Sequence, residues 1–206
     1  MLIRLMKILR KYLRYFFIIL PNKFKLKNKT PSIIASNCNG GFIYHDLGLK
    51  FYSPTINLFF YPDDFLKFIK NLKYYLSLKL LQVDDSNLKW PVGILDDVKI
   101  QFMHYKSFEE AEEKWNKRAQ RVNFNNLFFI WTDRDGINYE QIKEFDKLPL
   151  KNKVIFTAKE CKEIKCSFQI KAFKNKNEVG ILSNFKRLSY KRYLDDFDYV
   201  RFLNKK

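Results

Sequence analysis

Apolar residues recur at helical spacing in some stretches of this chain and crowd into short unbroken runs in others, and the two kinds alternate. The opening MLIRLMKILRKYLRYFFIIL sets Arg4, Lys7, Arg10 or Lys11, and Arg14 three to four residues apart, which places them on one side of a helix. Leu2, Leu5, Leu9, Leu13, Phe16 and Phe17 fill much of the rest, and Pro21 is expected to end the helix. PNKFKLKNKT, Pro21 to Thr30, reads as a linker. Pro31 to Asn37 reads as a first strand and INLFFY, Ile56 to Tyr61, as a second. Pro62-Asp63-Asp64 opens a helix expected to run to Leu81, with Phe65, Phe68, Ile69, Leu72, Tyr75 and Leu76 on its core face.

After a break at Trp90-Pro91-Val92-Gly93, VKIQFMHY alternates from Val98 to Tyr105, with His104 ending the apolar face. Ser107 to Glu110 is a capping box, so a helix follows to Arg121. LFFIWT, Leu127 to Thr132, reads as a buried strand, Asn138 to Leu148 as a short helix, KVIFT from Lys153 as another strand, and Tyr193 to Leu203 as a terminal helix. Strands alternating with helices predict an α/β fold: a largely parallel, Rossmann-like sheet flanked by helices, with a basic amphipathic helix in front. The expected division is residues 1–30 for that helix and its linker, and 31–206 for a single domain.

The charge changes the picture at one end only. Residues 1–30 hold nine Lys and Arg and no Asp or Glu, so they supply more than half of the net +17. The rest of the chain carries no nucleic-acid-binding motif, so nucleic acid is not an expected partner. The uncharged run Tyr15 to Leu20 is too short to span a bilayer, which takes ~20 apolar residues. No small-residue cleavage site follows it. Two readings of the helix stand: peripheral contact with an anionic membrane, or packing on the domain with a solvated basic face. The three cysteines, Cys38, Cys161 and Cys166, are an odd number, as suits reduced thiols in the cytoplasm. Only two histidines exist, so a metal site is not expected.

In parallel sheets chemistry gathers at the carboxyl ends of strands. Three polar groups fall there: Asn37-Cys38-Asn39 leading into Gly40-Gly41, His104-Tyr105, and Asp133-Arg134-Asp135. Cys38 is either a nucleophile with a depressed thiol pKa or a small residue in a turn. Asn37, Asn39, Gly40 and Gly41 would offer an oxyanion or phosphate site. His104 is the expected base, with His45 as the alternative. Arg118 and Arg121, in register with Trp115 on one helix, could clamp a phosphate. Ser53, Tyr105 and Trp115 complete the expected site as substrate-binding residues. Asp133 and Asp135 have the acid-x-acid spacing with which glycosyltransferases hold a divalent metal, although the same residues also make ordinary turns.

The ordered motifs SNCNGG, YSPTINLFF, WPVGILDDVKIQFMHYKSFEEAEEKWNKRAQRVN, NLFFIWTDRDG and FDKLP, between Ser32 and Lys159, resemble a domain-of-unknown-function family. Its members are described as exopolysaccharide or capsule biosynthesis proteins, and some are labelled acetyltransferases. The Asn37-Cys38 loop is also similar to a second capsule family of acetyltransferases, which has a different loop where Asn39-Gly40-Gly41 stands here. The resemblance implies a surface-polysaccharide biosynthesis protein, cytoplasmic or at the inner membrane face. The expected reaction is acylation of a sugar hydroxyl at Cys38 and His104, with acetyl-CoA as a candidate donor and a glycan as acceptor. A nucleotide-linked donor belongs to the alternative, a metal-dependent glycosyl or sugar-phosphate transferase using Asp133 and Asp135. A non-catalytic accessory protein of the assembly complex is the third reading.

Overall fold

The structure, a computed structural model, describes residues 2–84 and 87–205, with side chains in the N-terminal helix from Leu5 onward. The strands are β1 (Ser32–Ala35), β2 (Leu81–Val83), β3 (Val92–Leu95), β4 (Val98–Gln101), β5 (Leu127–Thr132), β6 (Lys153–Thr157) and β7 (Ser167–Gln169). β1, β5, β6 and β7 form a parallel sheet in that order, with Ile33 opposite Phe128 and Ile130 opposite Val154. The expected α/β architecture is present. β2, β3 and β4 form a separate antiparallel sheet.

The helices are α1 (Leu2–Arg14), α2 (Leu20–Lys25), α3 (Asn39–Leu47), α4 (Pro62–Lys70), α5 (Leu72–Ser77), α6 (Phe108–Ala119), α7 (Tyr139–Lys147) and α8 (Tyr199–Leu203). The parallel strands are apolar on both faces because helices cover both. Ile33, Ala35, Phe128, Ile130, Val154 and Phe156 pack with Ile43 and Tyr44 of α3 and Phe202 of α8. Ile34, Phe129, Trp131 and Ile155 pack on the other side with Phe65 and Phe68 of α4, Trp115 of α6 and Phe145 of α7. Ile100 and Phe102, in and just after β4, join that second core.

Several elements differ from the sequence expectation. Pro21 does not end the first helix. A π-helical turn, Tyr15–Ile19, joins α1 to α2, and the Leu20 N–H donates to the Tyr15 carbonyl five residues back. That wider turn relieves the clash a proline ring would make with the carbonyl four residues before it. The expected linker is therefore helical to Lys25, and its continuation is held: Leu26 is buried, and the Asn204 side chain accepts from the Lys27 and Asn28 amides. The Leu2 and Arg4 side chains lie outside the described residues.

Ile56 to Tyr61 is not a strand. Asn57 takes φ 61°, and only Phe59 makes a bridge, to Gln101. The helix expected over 62–81 breaks at Asn71 and stops at Ser77. The break expected at Trp90-Pro91-Val92-Gly93 instead leads into β3, paired with β4 through a turn in which Asp96 takes φ 55°. The strand expected to reach Tyr105 ends at Gln101 and stays outside the parallel sheet, leaving His104 in a turn. The terminal helix is divided into a 3-10 turn, Tyr193–Asp196, and α8. Half of the expected capping box forms at α6, where the Ser107 hydroxyl accepts from the Glu110 amide while the Glu110 carboxylate accepts from the Lys106 amide; a complete box, Asn138 with Gln141, starts α7.

Candidate functional site

β1 runs into α3 with only Ser36, Asn37 and Cys38 between them. Two glycines fall in the first turn of that helix, and one explains its approach to the strand. A Cβ on Gly40 would lie 3.1 Å from the Ala35 Cβ and 3.2 Å from Ile33 Cγ2, so α3 sits closer to β1 than a side chain would let it. Cys38 occupies the N-cap of α3. Asn37 shapes the loop: its amide donates to Thr132 Oγ1 at 3.0 Å, tying the ends of β1 and β5, and its oxygen accepts from the Asn39 N–H. The Gly40 and Gly41 amides remain in the first helical turn, where backbone N–H groups have no partner within the helix.

The stretch Leu58 to Phe60 crosses this strand end. The Phe60 N–H donates to the Ser36 carbonyl at 2.9 Å, and the Cys38 thiol donates to the Leu58 carbonyl at 3.8 Å. Burial pushes the Cys38 thiol above its ordinary pKa. The depressed pKa expected for an exposed loop cysteine is therefore corrected: the Leu58 segment covers the sulfur, and a desolvated thiolate is disfavoured.

A cleft of about 460 Å³ opens beside these residues, lined by Cys38, Phe59, Trp90, His104, Arg134 and Asp135 among others. A second lobe of about 550 Å³ includes His45, Phe51, Asn57 and Arg192. Cys38, Phe42 and His104 line both lobes. His104 reaches the cleft from the turn after β4, which the Phe59–Gln101 bridge holds against the Leu58 segment. Trp90 packs edge-on against Phe59 and donates from Nε1 to the Gln101 side chain at 3.0 Å. The antiparallel sheet thus supplies an aromatic wall facing the carboxyl ends of β1 and β5.

Among the described residues, three buried side-chain nitrogen or oxygen atoms lack a hydrogen-bond partner: Arg134 Nε, Arg192 Nε and Thr157 Oγ1. Both arginines line the cleft, one in each lobe. Arg192 lies over the rings of Phe42 and Phe185, and its pKa is lowered by burial and by the nearby Arg14 charge. Two cations with unspent donors on one cleft suit an anionic ligand.

The remaining expected residues lie elsewhere. Arg118 donates to the Tyr105 hydroxyl at 2.6 Å and stacks over Phe51, and Tyr105 donates in turn to the Ile56 carbonyl. Neither Arg118 nor Arg121 lines a lobe. Together Arg118 and Tyr105 brace the loop that carries Ile56 and Asn57. Trp115 is buried between Phe68 and Phe102, and Ser53 is buried beside Thr55. Asp133 does not point at Asp135. Its two oxygens accept the Ala158 and Val179 amides at 2.6 and 2.7 Å, which pins the 179–183 segment along the cleft. Burial raises the Asp133 pKa despite those bonds.

Arg134 stands inside the Asp133-Arg134-Asp135 motif, whose acid-x-acid spacing points to a metal and not to the cation between the acids. Arg192, in a stretch without periodicity, gave no signal at all.

The sequence pattern of a domain of unknown function (DUF1919) matches residues 8–204. An uncharacterized protein of Haemophilus influenzae (strain ATCC 51907 / DSM 11121 / KW20 / Rd) is 44% identical over 189 residues, covering 92% of this chain and 91% of its relative. The match runs from within α1 through α8 and takes in every residue of the cleft, and the chain belongs to the DUF1919 family.

Proposed function

We propose that this protein is a cytoplasmic transferase of surface-polysaccharide assembly that acylates a hydroxyl of an anionic, sugar-containing precursor. The observation that carries the reading is the convergence of Cys38, His104 and two incompletely bonded arginines on one cleft at the carboxyl ends of parallel strands. His104 removes the proton from the sugar hydroxyl as its oxygen attacks the carbonyl of an acyl thioester. The tetrahedral oxyanion lies toward the first turn of α3, and the imidazolium returns the proton to the departing thiolate. Arg134 or Arg192 holds the phosphates, and Phe59 and Trp90 face the apolar side of the sugar ring.

Cys38 lines the acyl site and is not the nucleophile. Burial keeps the thiol protonated, and direct transfer needs no acyl-enzyme. Both Asp133 oxygens accept backbone amides, which favours this reading over the metal-dependent alternative.

Radiolabelled acetyl-CoA and a panel of nucleotide sugars test the reading. Label transfer that falls about 10²-fold or more in His104→Ala and persists in Cys38→Ala is expected. Abolition by Cys38→Ala would make the thiol the nucleophile. Turnover of a nucleotide sugar with metal and without acyl donor would replace the reading altogether.

A further inference from the structure

The helix α1 does not bury its apolar side against the domain. Lys7, Lys11 and Arg14 share one side of it by their three- and four-residue spacing. At the carboxyl end of the helix that side meets the domain through Arg14, while Lys7 and Lys11 remain exposed. Arg14 is 2% exposed and donates from Nε to Asp195 at 2.8 Å and from Nη1 to Asp46 at 3.0 Å. The apolar side therefore points outward. Leu5, Leu9 and Tyr12, again three and four apart, are 62, 55 and 62% exposed. Ile8, Phe16 and Phe17 extend the exposed surface into the π-helical turn. An amphipathic helix of a globular protein ordinarily buries its apolar stripe, and an exposed stripe of this extent marks a docking surface.

Charge decides between the occupants. Residues 1–30 carry nine cations and no anion. A second copy docked through the same face would bring two such clusters together, and like charges repel. An anionic lipid surface offers the reverse: apolar chains for Leu5, Leu9 and Tyr12, and phosphates for Lys7, Arg10 and Lys11, whose long stems let their heads reach the headgroups. Among the described residues no helix is long and apolar enough to cross a membrane, so the helix would lie on the surface. We propose that the outward apolar face of α1 docks the protein onto an anionic bilayer, with the Arg14–Asp46–Asp195 cluster fixing the orientation of the helix. This inference stands apart from the reaction assigned to the cleft.

Vesicle co-sedimentation of the full chain tests it, using phosphatidylglycerol–phosphatidylcholine mixtures and pure phosphatidylcholine. Binding to the anionic vesicles is expected, with pure phosphatidylcholine bound at least about tenfold more weakly. The variant Leu9→Asp/Tyr12→Asp changes only exposed side chains and should keep the wild-type melting temperature while binding falls about tenfold or more. Lys7→Glu/Lys11→Glu should cost a similar factor at low salt and less at high salt. Equal binding to both vesicle types, or no binding to either, would overturn the proposal. So would a concentration-dependent dimer in sedimentation velocity that Leu9→Asp/Tyr12→Asp abolishes. Each readout is independent of acyl transfer, so the two proposals can fail separately.

Discussion

The two ends of α3 handle polar groups in opposite ways. At its carboxyl end Asp46 sits where the helix dipole disfavours an acid, yet it is 2% exposed. It survives there because Arg14 bonds it in a two-pronged pair and bonds Asp195 in another. Burial alone would weaken the hold of Arg14 on its proton, but the hydrogen bonds and charges of Asp195 and Asp46 outweigh that and raise its pKa. Gly48, at φ 67°, closes the helix and makes no demand on a side chain. At the amino end Cys38 caps the helix without a side-chain bond to it, and the nearby Arg134 leaves a buried nitrogen without a partner. Buried charge with every donor and acceptor matched holds a fold together. Buried donors left unspent beside a cleft are what a ligand can use.

Breaking the matched end should have the largest effect. Arg14→Leu removes every side-chain hydrogen bond from the cation to two buried carboxylates and leaves only Arg192, 3.7 Å from Asp46, as a neighbouring charge; the expected cost is about 3–5 kcal/mol in urea denaturation. Replacing Asp46 and Asp195 by leucine in the same protein should recover much of that loss, because the uncompensated charge is removed with its partner. A small loss in Arg14→Leu would mean that the carboxylates reach water without it, and the contrast between the two ends would weaken.

Asp133 belongs to the matched kind although it stands beside the cleft. Asp133→Asn keeps one acceptor and turns an NH₂ toward the other backbone amide. The expected cost is about 1–3 kcal/mol, measured in the same way. A stability loss below that range, together with a lost metal response, would return the residue to the metal-binding reading.

Arg134 should behave in the opposite sense. Arg134→Gln is expected to shift stability by no more than about 0.5 kcal/mol, since it removes a nitrogen that bonds nothing. Calorimetric titration with a sugar phosphate should nonetheless show weaker binding than wild type. Unchanged binding would sink Arg134 as an anion site.

The smallest effect concerns Cys38 and pH. Its folded pKa is raised by burial, so the folded chain holds that proton at pH values where the unfolded chain has released it. The stability this contributes is present below the ordinary thiol pKa and is lost as pH rises through the folded value. Iodoacetamide should accordingly label Cys38 more slowly than a free thiol near neutral pH, with the rate still climbing above the ordinary thiol range. Cys166, pushed up to about 12 by burial and by its bond to Asp146, should label more slowly still. Rapid labelling of Cys38 at neutral pH would restore the activated-nucleophile reading.

Much of the frame could be read in advance. The runs around Ile33, Phe129 and Ile155 are apolar on both faces of a strand, a demand that few structures other than a covered parallel sheet satisfy. The Ser107 cap announced α6 because capping is a matter of three or four neighbouring residues. INLFFY misled because strand character belongs to the pair of chains: with only Phe59 bridged to Gln101, its apolar residues pack without a ladder. β3 was hidden behind Pro91 for the converse reason, since β2 and β4 complete it.

What the sequence determined by itself was local: which segments are apolar at which period, where helices start, that a cysteine follows the first strand of the sheet, and that the cations gather at the beginning of the chain. Tertiary structure decided everything that depends on a distant partner. It turned Arg14 of α1 inward, because Asp46 and Asp195 meet it from positions 32 and 181 residues away. It raised the thiol that the local sequence seemed to activate, because the Leu58 segment lies over it. It brought Arg134 and Arg192 to the same cleft as His104. Desolvation and long-range pairing act through space, and along the chain they leave no periodicity to read.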